Sequence, residues 1–168
     1  MLDPVAAKTV AATIAKAFCA VDGPHCEHYQ AGLKRFQETI DTKLAAWQAA
    51  LLPMRGTKVV TYHKDFDYFF DRFGFEVVGT LEPKPGIPPS PTHLTELVPQ
   101  MKAAHVPLIV IEPFRERSNP DFVAENTGAH VLALPAMPDG KDTPDYPSLI
   151  DHDVQQLVAA LREGKGKP

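Results

Sequence analysis

The sequence has 168 residues, 23% of them charged, and its formal net charge at pH 7 is -4. This length is sufficient for one domain with its own core, because such chains bury roughly 70% of the surface that they expose when unfolded. The negative charge and the lack of a basic face argue against a nucleic-acid partner. Apolar runs such as Val106–Ile111 are much shorter than the roughly 20 residues that span a bilayer, so we expect a soluble chain.

The amino terminus predicts a helix that begins almost at once. Asp3 is a favourable N-cap residue and Pro4 suits the first helical position. Four apolar residues then follow at helical spacing: Val10, Ile14, Phe18 and Val21. No basic region precedes a long apolar stretch, so we expect no signal peptide within this sequence.

A second long helix is predicted after Gly23-Pro24. Its apolar residues recur at steps of three and four, namely Tyr29, Leu33, Phe36, Ile40, Leu44, Trp47 and Leu51. Cys19 and Cys26 flank the turn between the two helices. They can form a disulfide if the compartment is oxidising. Two free thiols, one of them partly buried, agree equally well with the sequence.

After Pro53 the pattern changes to short strands that alternate with helices. Strands are predicted at 58–62, 75–79, 106–111 and 130–134, and helices at about 66–73, 91–101, 120–127 and 147–161. Helical connections of this kind join parallel strands. We therefore expect an α/β fold, in which a four-stranded parallel sheet with helices on both faces forms a lobe over residues 53–168. The two long helices form a helical segment over residues 1–52.

His63 is the best single candidate for a functional side chain. It directly follows the first predicted strand, and open parallel sheets bind ligands at the carboxyl ends of their strands. The segments that begin at Thr80, Glu112 and Pro135 follow the other three strands and emerge at the same edge. Without further context, a histidine at a strand end is more often structural than a metal ligand.

Several motifs in order along the chain resemble one family. Residues 62–69 read Tyr-His-Lys-Asp-Phe-Asp-Tyr-Phe, residues 73–79 read Phe-Gly-Phe-Glu-Val-Val-Gly, and residues 88–92 read Pro-Pro-Ser-Pro-Thr. The same pattern includes Leu2-Asp3-Pro4, Glu112-Pro113, Thr127-Gly128-Ala129 and Asp145-Tyr146. Together they resemble the carboxyl-terminal lobe and interlobe helix of the zinc/manganese substrate-binding proteins of ABC transporters, the TroA-like or ZnuA-like family.

The resemblance implies a periplasmic protein that holds Zn²⁺, or alternatively Mn²⁺, and delivers it to a membrane ABC permease. It implies that His63 is a metal ligand and that Asp145 is the carboxylate ligand, with Asp142 as the alternative. Glu112 is expected to support the site, to replace a ligand, or to accept a hydrogen bond from Arg115. In the family, two further histidine ligands precede the Leu-Asp-Pro motif, so this sequence is expected to supply half of the site.

Two other functions are compatible with the residues. One is a small interaction domain that self-associates through the exposed apolar stripe of its second long helix. The other is a hydrolase, but the sequence lacks a Gly-x-Ser-x-Gly elbow, a phosphate-binding glycine loop and a dinucleotide fingerprint. We therefore do not expect an enzyme. Asp145 taken alone is as typical of a turn or of a helix N-cap as it is of a metal ligand.

Overall fold

The computed structural model describes residues 2–84 and 86–163, except for the side chain of Glu163. Six α-helices lie within these residues: α1 Pro4–Val21, α2 Cys26–Leu51, α3 Asp67–Phe73, α4 Pro91–Ala104, α5 Ser118–Thr127 and α6 Tyr146–Glu163. Four strands alternate with the later helices: β1 Lys58–Thr61, β2 Glu76–Thr80, β3 Leu108–Ile111 and β4 His130–Ala133. Short 3-10 turns precede α2 and α3 and follow α2.

The four strands form one parallel sheet in the order β2-β1-β3-β4, which confirms the predicted α/β fold. The strands end within two residues of the predicted positions. Backbone hydrogen bonds nevertheless continue past the strand ends, since the Tyr62 N–H donates to the Val110 carbonyl at 2.7 Å and the Leu134 N–H donates to the Ile111 carbonyl at 2.9 Å. These bonds fix the backbone at the edge where the candidate residues lie.

Helices cover both faces of the sheet because its strands are apolar on both sides. On one face, Val59, Leu108 and Val110 pack against the phenylalanines of α3 and the apolar side of α6. On the other face, Val60, Ile109 and Ile111 pack against α4 and α5. β3 is buried along its whole length. Such a strand is typical of the centre of a parallel sheet.

Local sequence signals determine where several helices begin and end. Asp3 caps α1, since its Oδ1 accepts from the Val5 N–H at 2.8 Å, and Ser90 caps α4 by accepting from the His93 N–H at 3.2 Å. Gly74 ends α3 with a left-handed φ of 77°, a conformation that favours glycine. These termini agree with the sequence-based predictions.

The predicted apolar stripe of α1 is largely exposed. Val10, Ile14 and Phe18 are between 40% and 49% exposed, and they border an open groove between α1 and α2. Of the described helices, α1 alone is long and apolar enough to cross a membrane by length and composition. The sequence-based prediction missed this length and apolar composition because it considered only uninterrupted apolar runs. Signal sequences and the core helices of soluble proteins have the same length and composition. The disulfide between Cys19 and Cys26 joins the end of α1 to the start of α2.

The carboxyl-terminal half of α2 is attached firmly to the lobe. Ile40, Trp47 and Leu51 are buried in the same core as α3 and α6. The Trp47 indole donates to Asp151 Oδ1 on α6 at 2.8 Å, and Lys43 pairs with the other oxygen of the same carboxylate. α1 contacts α2 from Tyr29, which packs on Phe18, to Asp41, which pairs with Lys8.

Candidate metal centre

His63 lies two residues beyond β1, at the carboxyl edge of the sheet. Its backbone is extended and precedes the 3-10 turn Lys64–Phe66, whose Phe66 side chain is fully buried. This anchors the loop and leaves the imidazole partly accessible, at 23% exposure. Nδ1 lies 3.2 Å from Asp65 Oδ1, so this carboxylate orients the ring. Nε2 is directed toward the carboxylate of Glu82.

Glu82 follows β2 and was not predicted as a site residue. Its backbone N–H donates to the Tyr62 carbonyl at 3.0 Å, which places the two strand ends side by side. Its Oε2 lies 3.7 Å from His63 Nε2, and its Oε1 accepts from Arg115 Nη1 at 3.2 Å. The side chain is only 8% exposed. Charged side chains with so little exposure are rare unless a partner compensates them.

Arg115 connects Glu82 to Glu112, the residue after β3. Its Nε donates to Glu112 Oε2 at 2.9 Å, and its guanidinium carbon lies 4.6 Å from the centre of the Tyr62 ring. Glu112 thus accepts a hydrogen bond from Arg115, which was one of the alternatives predicted from the sequence. Glu112 is fully buried and its Oε1 has no hydrogen-bond partner in the described part of the chain.

The charges at this edge influence one another. Burial raises the pKa of Glu112, against the opposing effect of Arg115, while nearby Asp65 raises it further. Burial alone would lower the pKa of Arg115, but the hydrogen bond to Glu112 and the carboxylate of Glu82 raise it, so the guanidinium keeps its charge. Burial also raises the pKa of Asp67, which follows the same turn. The edge therefore holds the positive charges of Arg115 and Lys64 among several carboxyl groups.

Asp145 and Asp142 lie in the loop between β4 and α6. Asp145 is exposed and acts as a helix cap, since its Oδ1 accepts from the Ser148 N–H at 2.8 Å. This backbone hydrogen bond lowers the pKa of Asp145. Asp142 is exposed in a turn that Asp139 closes by accepting from the Thr143 N–H. Neither aspartate forms a hydrogen bond or an ion pair with His63.

Across residues 2–84 and 86–163, no three His, Cys, Asp or Glu side chains converge in a way that holds a metal ion. The edge instead offers the pair His63 and Glu82. The sequence did contain a signal for Glu82, because both residues stand two positions after neighbouring parallel strands, β1 and β2. Residues at equal offsets beyond paired strands meet at one edge of the sheet.

Comparisons with known proteins agree with this architecture. The family profile described as "ZnuA: Zinc-uptake complex component A periplasmic" matches residues 1–160. The chain is 29% identical over 162 residues to the high-affinity zinc uptake system protein ZnuA of Brucella abortus, covering 95% of this chain and 48% of that protein.

Two solved structures are similar over most of the chain. The SBP FpvC of Pseudomonas aeruginosa in complex with Ni²⁺ has a TM-score of 0.84 and 25% identity, covering 99% of this chain and 63% of that one. The laminin-binding protein Lmb of Streptococcus agalactiae, described as having adhesin and metal-transporting activity, has a TM-score of 0.78 and 28% identity, covering 93% and 63%. The chain spans about half the length of the curated relatives that it matches. By the extent of the family match, this chain belongs to the zinc-uptake component A (ZnuA) family.

Proposed function

We propose that this chain provides one half of a divalent-metal capture site, with zinc as the preferred ion and manganese as the alternative. The observation that carries the proposal is the placement of His63 at the carboxyl edge of the sheet. Asp65 orients its Nδ1, and its Nε2 is directed toward the carboxylate of Glu82. Imidazole nitrogen is a common zinc ligand, and a carboxylate on the second nitrogen fixes its tautomer.

Asp145 is proposed as a second ligand, with Asp142 in reserve. Because the helix cap uses Asp145 Oδ1, a metal would be bound through Oδ2. Glu112 is proposed to support the site through Arg115. Residues 53–168 would form the metal-binding lobe, and residues 1–52 would form a helical segment that includes the interlobe helix α2.

The whole protein is proposed to bind its metal between two lobes in the periplasm and to deliver it to an ABC permease. The names of the relatives and of the family, together with the position of His63 at the carboxyl edge of the sheet, support this role. A half-site with few protein ligands is expected to bind zinc weakly, because a structural zinc ion takes about four of them.

Isothermal titration with Zn²⁺ tests the proposal. The native chain should release heat at a stoichiometry of one, His63→Ala should abolish it, and His130→Ala should leave it unchanged. His130 is a suitable control because it is exposed at the start of β4, at the other end of the sheet. Asp145→Ser keeps an N-capping side chain and removes the carboxylate, so weaker binding by this variant would support Asp145 as a ligand.

The same titration can reject the proposal. A native chain without zinc heat contradicts metal capture, and unchanged binding by His63→Ala contradicts the assignment of His63.

A second candidate function is self-association. The sequence favoured the apolar stripe of α2 for this contact, but Ile40, Trp47 and Leu51 of that stripe are buried in the core, and the exposed apolar strip lies on α1. The exposed side chains of Val10, Ile14 and Phe18 form an apolar strip beside the groove between α1 and α2. Pairing two such strips would remove this surface from water. Sedimentation velocity should then show a concentration-dependent dimer that Ile14→Glu disrupts. A single monomeric species at high concentration would contradict this candidate.

A further inference from the structure

The carboxylate of Glu82 faces the imidazole of His63 at a spacing that suits an intervening ion. We propose that Glu82 is a metal ligand of this lobe through Oε2, beside His63 Nε2, and that Arg115 is the positioning residue that holds the carboxylate. This inference rests on the proposed function, since it adds a ligand to the same site. It does not depend on whether Asp145 also binds.

The distance between the two atoms carries the first step. His63 Nε2 and Glu82 Oε2 are 3.7 Å apart, which is too long for a hydrogen bond. Zinc binds imidazole nitrogen at about 2.0–2.1 Å and carboxylate oxygen at about 2.0–2.2 Å, so two ligand atoms of a tetrahedral ion are separated by about 3.4 Å. The observed gap is within a few tenths of an ångström of that value. A small rotation of either side chain brings both atoms to bonding distance from one ion.

The placement of Glu82 carries the second step. Hydrogen bonds from the Leu81 and Glu82 N–H groups to the carbonyls of Thr61 and Tyr62, at 2.9 and 3.0 Å, extend the β1–β2 ladder to this point. The backbone of Glu82 is therefore fixed relative to that of His63. Its side chain is more than nine-tenths buried, and no hydrogen bond from the described residues reaches Oε2. In a largely buried carboxylate, an oxygen that no protein donor reaches favours a cation as its partner.

Arg115 carries the third step. It donates to Glu82 Oε1 and leaves Oε2, the oxygen paired with His63, available. Its single positive charge is shared between Glu82 and Glu112, and Asp65 adds a further carboxylate beside His63. With Asp67 in the same turn, the carboxyl groups of this edge outnumber its cations Arg115 and Lys64. A divalent cation at the His63–Glu82 gap supplies the missing positive charge.

Titrations with Zn²⁺ and Co²⁺ on the full chain test the assignment. Glu82→Gln preserves size and can still accept from Arg115, and we expect it to weaken Zn²⁺ binding at least tenfold. Glu82→Asp keeps the charge but shortens the side chain, so it should also weaken binding. Glu76→Gln is the matched control, because Glu76 is exposed at the opposite end of β2, and its affinity should stay within twofold of native.

Visible absorption of bound Co²⁺ separates ligation and positioning from folding. Glu82→Gln should change the position and intensity of the cobalt bands, because the ion loses a ligand. Arg115→Lys keeps the charge but loses the fork that holds Oε1, so it should shift the same bands with a smaller loss of affinity. Circular dichroism verifies that each variant is folded.

The outcomes distinguish this inference from the proposed function. Native-like affinity and cobalt bands in Glu82→Gln, while His63→Ala still abolishes binding, overturn the role of Glu82 and leave the proposed function intact. Native-like Zn²⁺ affinity in Glu82→Asp, together with a loss of affinity in Glu82→Gln, also overturns the assignment of Glu82 as a ligand. That result indicates that only the negative charge of the side chain matters. An absence of binding by the native chain overturns both. Unchanged cobalt bands in Arg115→Lys overturn the positioning role of Arg115.

Discussion

Asp153 is expected to make the stability of this protein fall as the pH rises. This α6 residue is fully buried, its Oδ1 lies 3.3 Å from His152 Nδ1, and its Oδ2 has no hydrogen-bond partner in the described part of the chain. Burial raises its pKa to about 8. The unfolded chain has a pKa of about 3.9 at this residue. The folded protein therefore keeps a proton that the unfolded chain releases between these two values.

The difference between the folded and the unfolded pKa of Asp153 sets the size and the sign of the change in stability. Each pKa unit corresponds to about 1.36 kcal/mol, so raising the pH from below 4 to 7 costs about 4 kcal/mol of unfolding free energy through Asp153. The stabilising contribution is fully present below the unfolded pKa and is lost as the pH rises through the folded pKa of about 8. This loss is comparable with the whole stability of a small domain, about 5–15 kcal/mol.

Urea unfolding at pH 5, 6, 7 and 8 tests this prediction with Asp153→Asn. The neutral amide has almost the same shape, so the variant should be more stable than the native chain at pH 8, with a difference that grows steadily from pH 5. Asp121→Asn is the control, since the side chain of Asp121 is 44% exposed and pairs with Arg117. Parallel pH profiles for the native chain and Asp153→Asn would refute the reasoning.

Two further predictions concern contacts that hold the helices. Arg72→Met should lower the unfolding free energy, measured in urea, by about 1.5–3 kcal/mol. The variant removes both hydrogen bonds to buried Asp3, at 2.8 Å each. Arg117→Met removes an exposed ion pair and is the control; a loss in Arg72→Met no larger than in this control would contradict the prediction. Reduction of the disulfide between Cys19 and Cys26, which are seven residues apart, should lower the unfolding free energy by about 2.5 kcal/mol from the entropy of the released loop. A Cys19→Ala/Cys26→Ala variant whose stability still responded to reductant would exclude the disulfide as the cause.

Much of the fold could be predicted because local chemistry specifies it. Gly74 needs a left-handed φ, Ser90 caps a helix that Pro91 begins, and the apolar run at 108–111 can only be an inner strand. Strand ends were harder to predict, because the hydrogen bonds at Tyr62 depend on a neighbouring strand and not on local sequence.

The candidate site was only partly predictable. His63 was found because it directly follows an obvious strand, whereas Glu82 stands in a proline-rich run that looks like a loop. Its proximity to His63 results from the pairing of β1 with β2. The pattern of α1 likewise identified an apolar face, but periodicity does not specify what covers such a face, and here its residues are largely exposed.

The attachment of α2 at Trp47 has a mechanical consequence. The helix has 26 residues, and at 1.5 Å per residue its far end at Cys26 lies about 32 Å from Trp47. A rotation of only about 5° at the attachment displaces that end by about 3 Å over this length. Because Trp47 and Lys43 share the carboxylate of Asp151 on α6, a rotation of α2 against α6 displaces the far end of the helix the most.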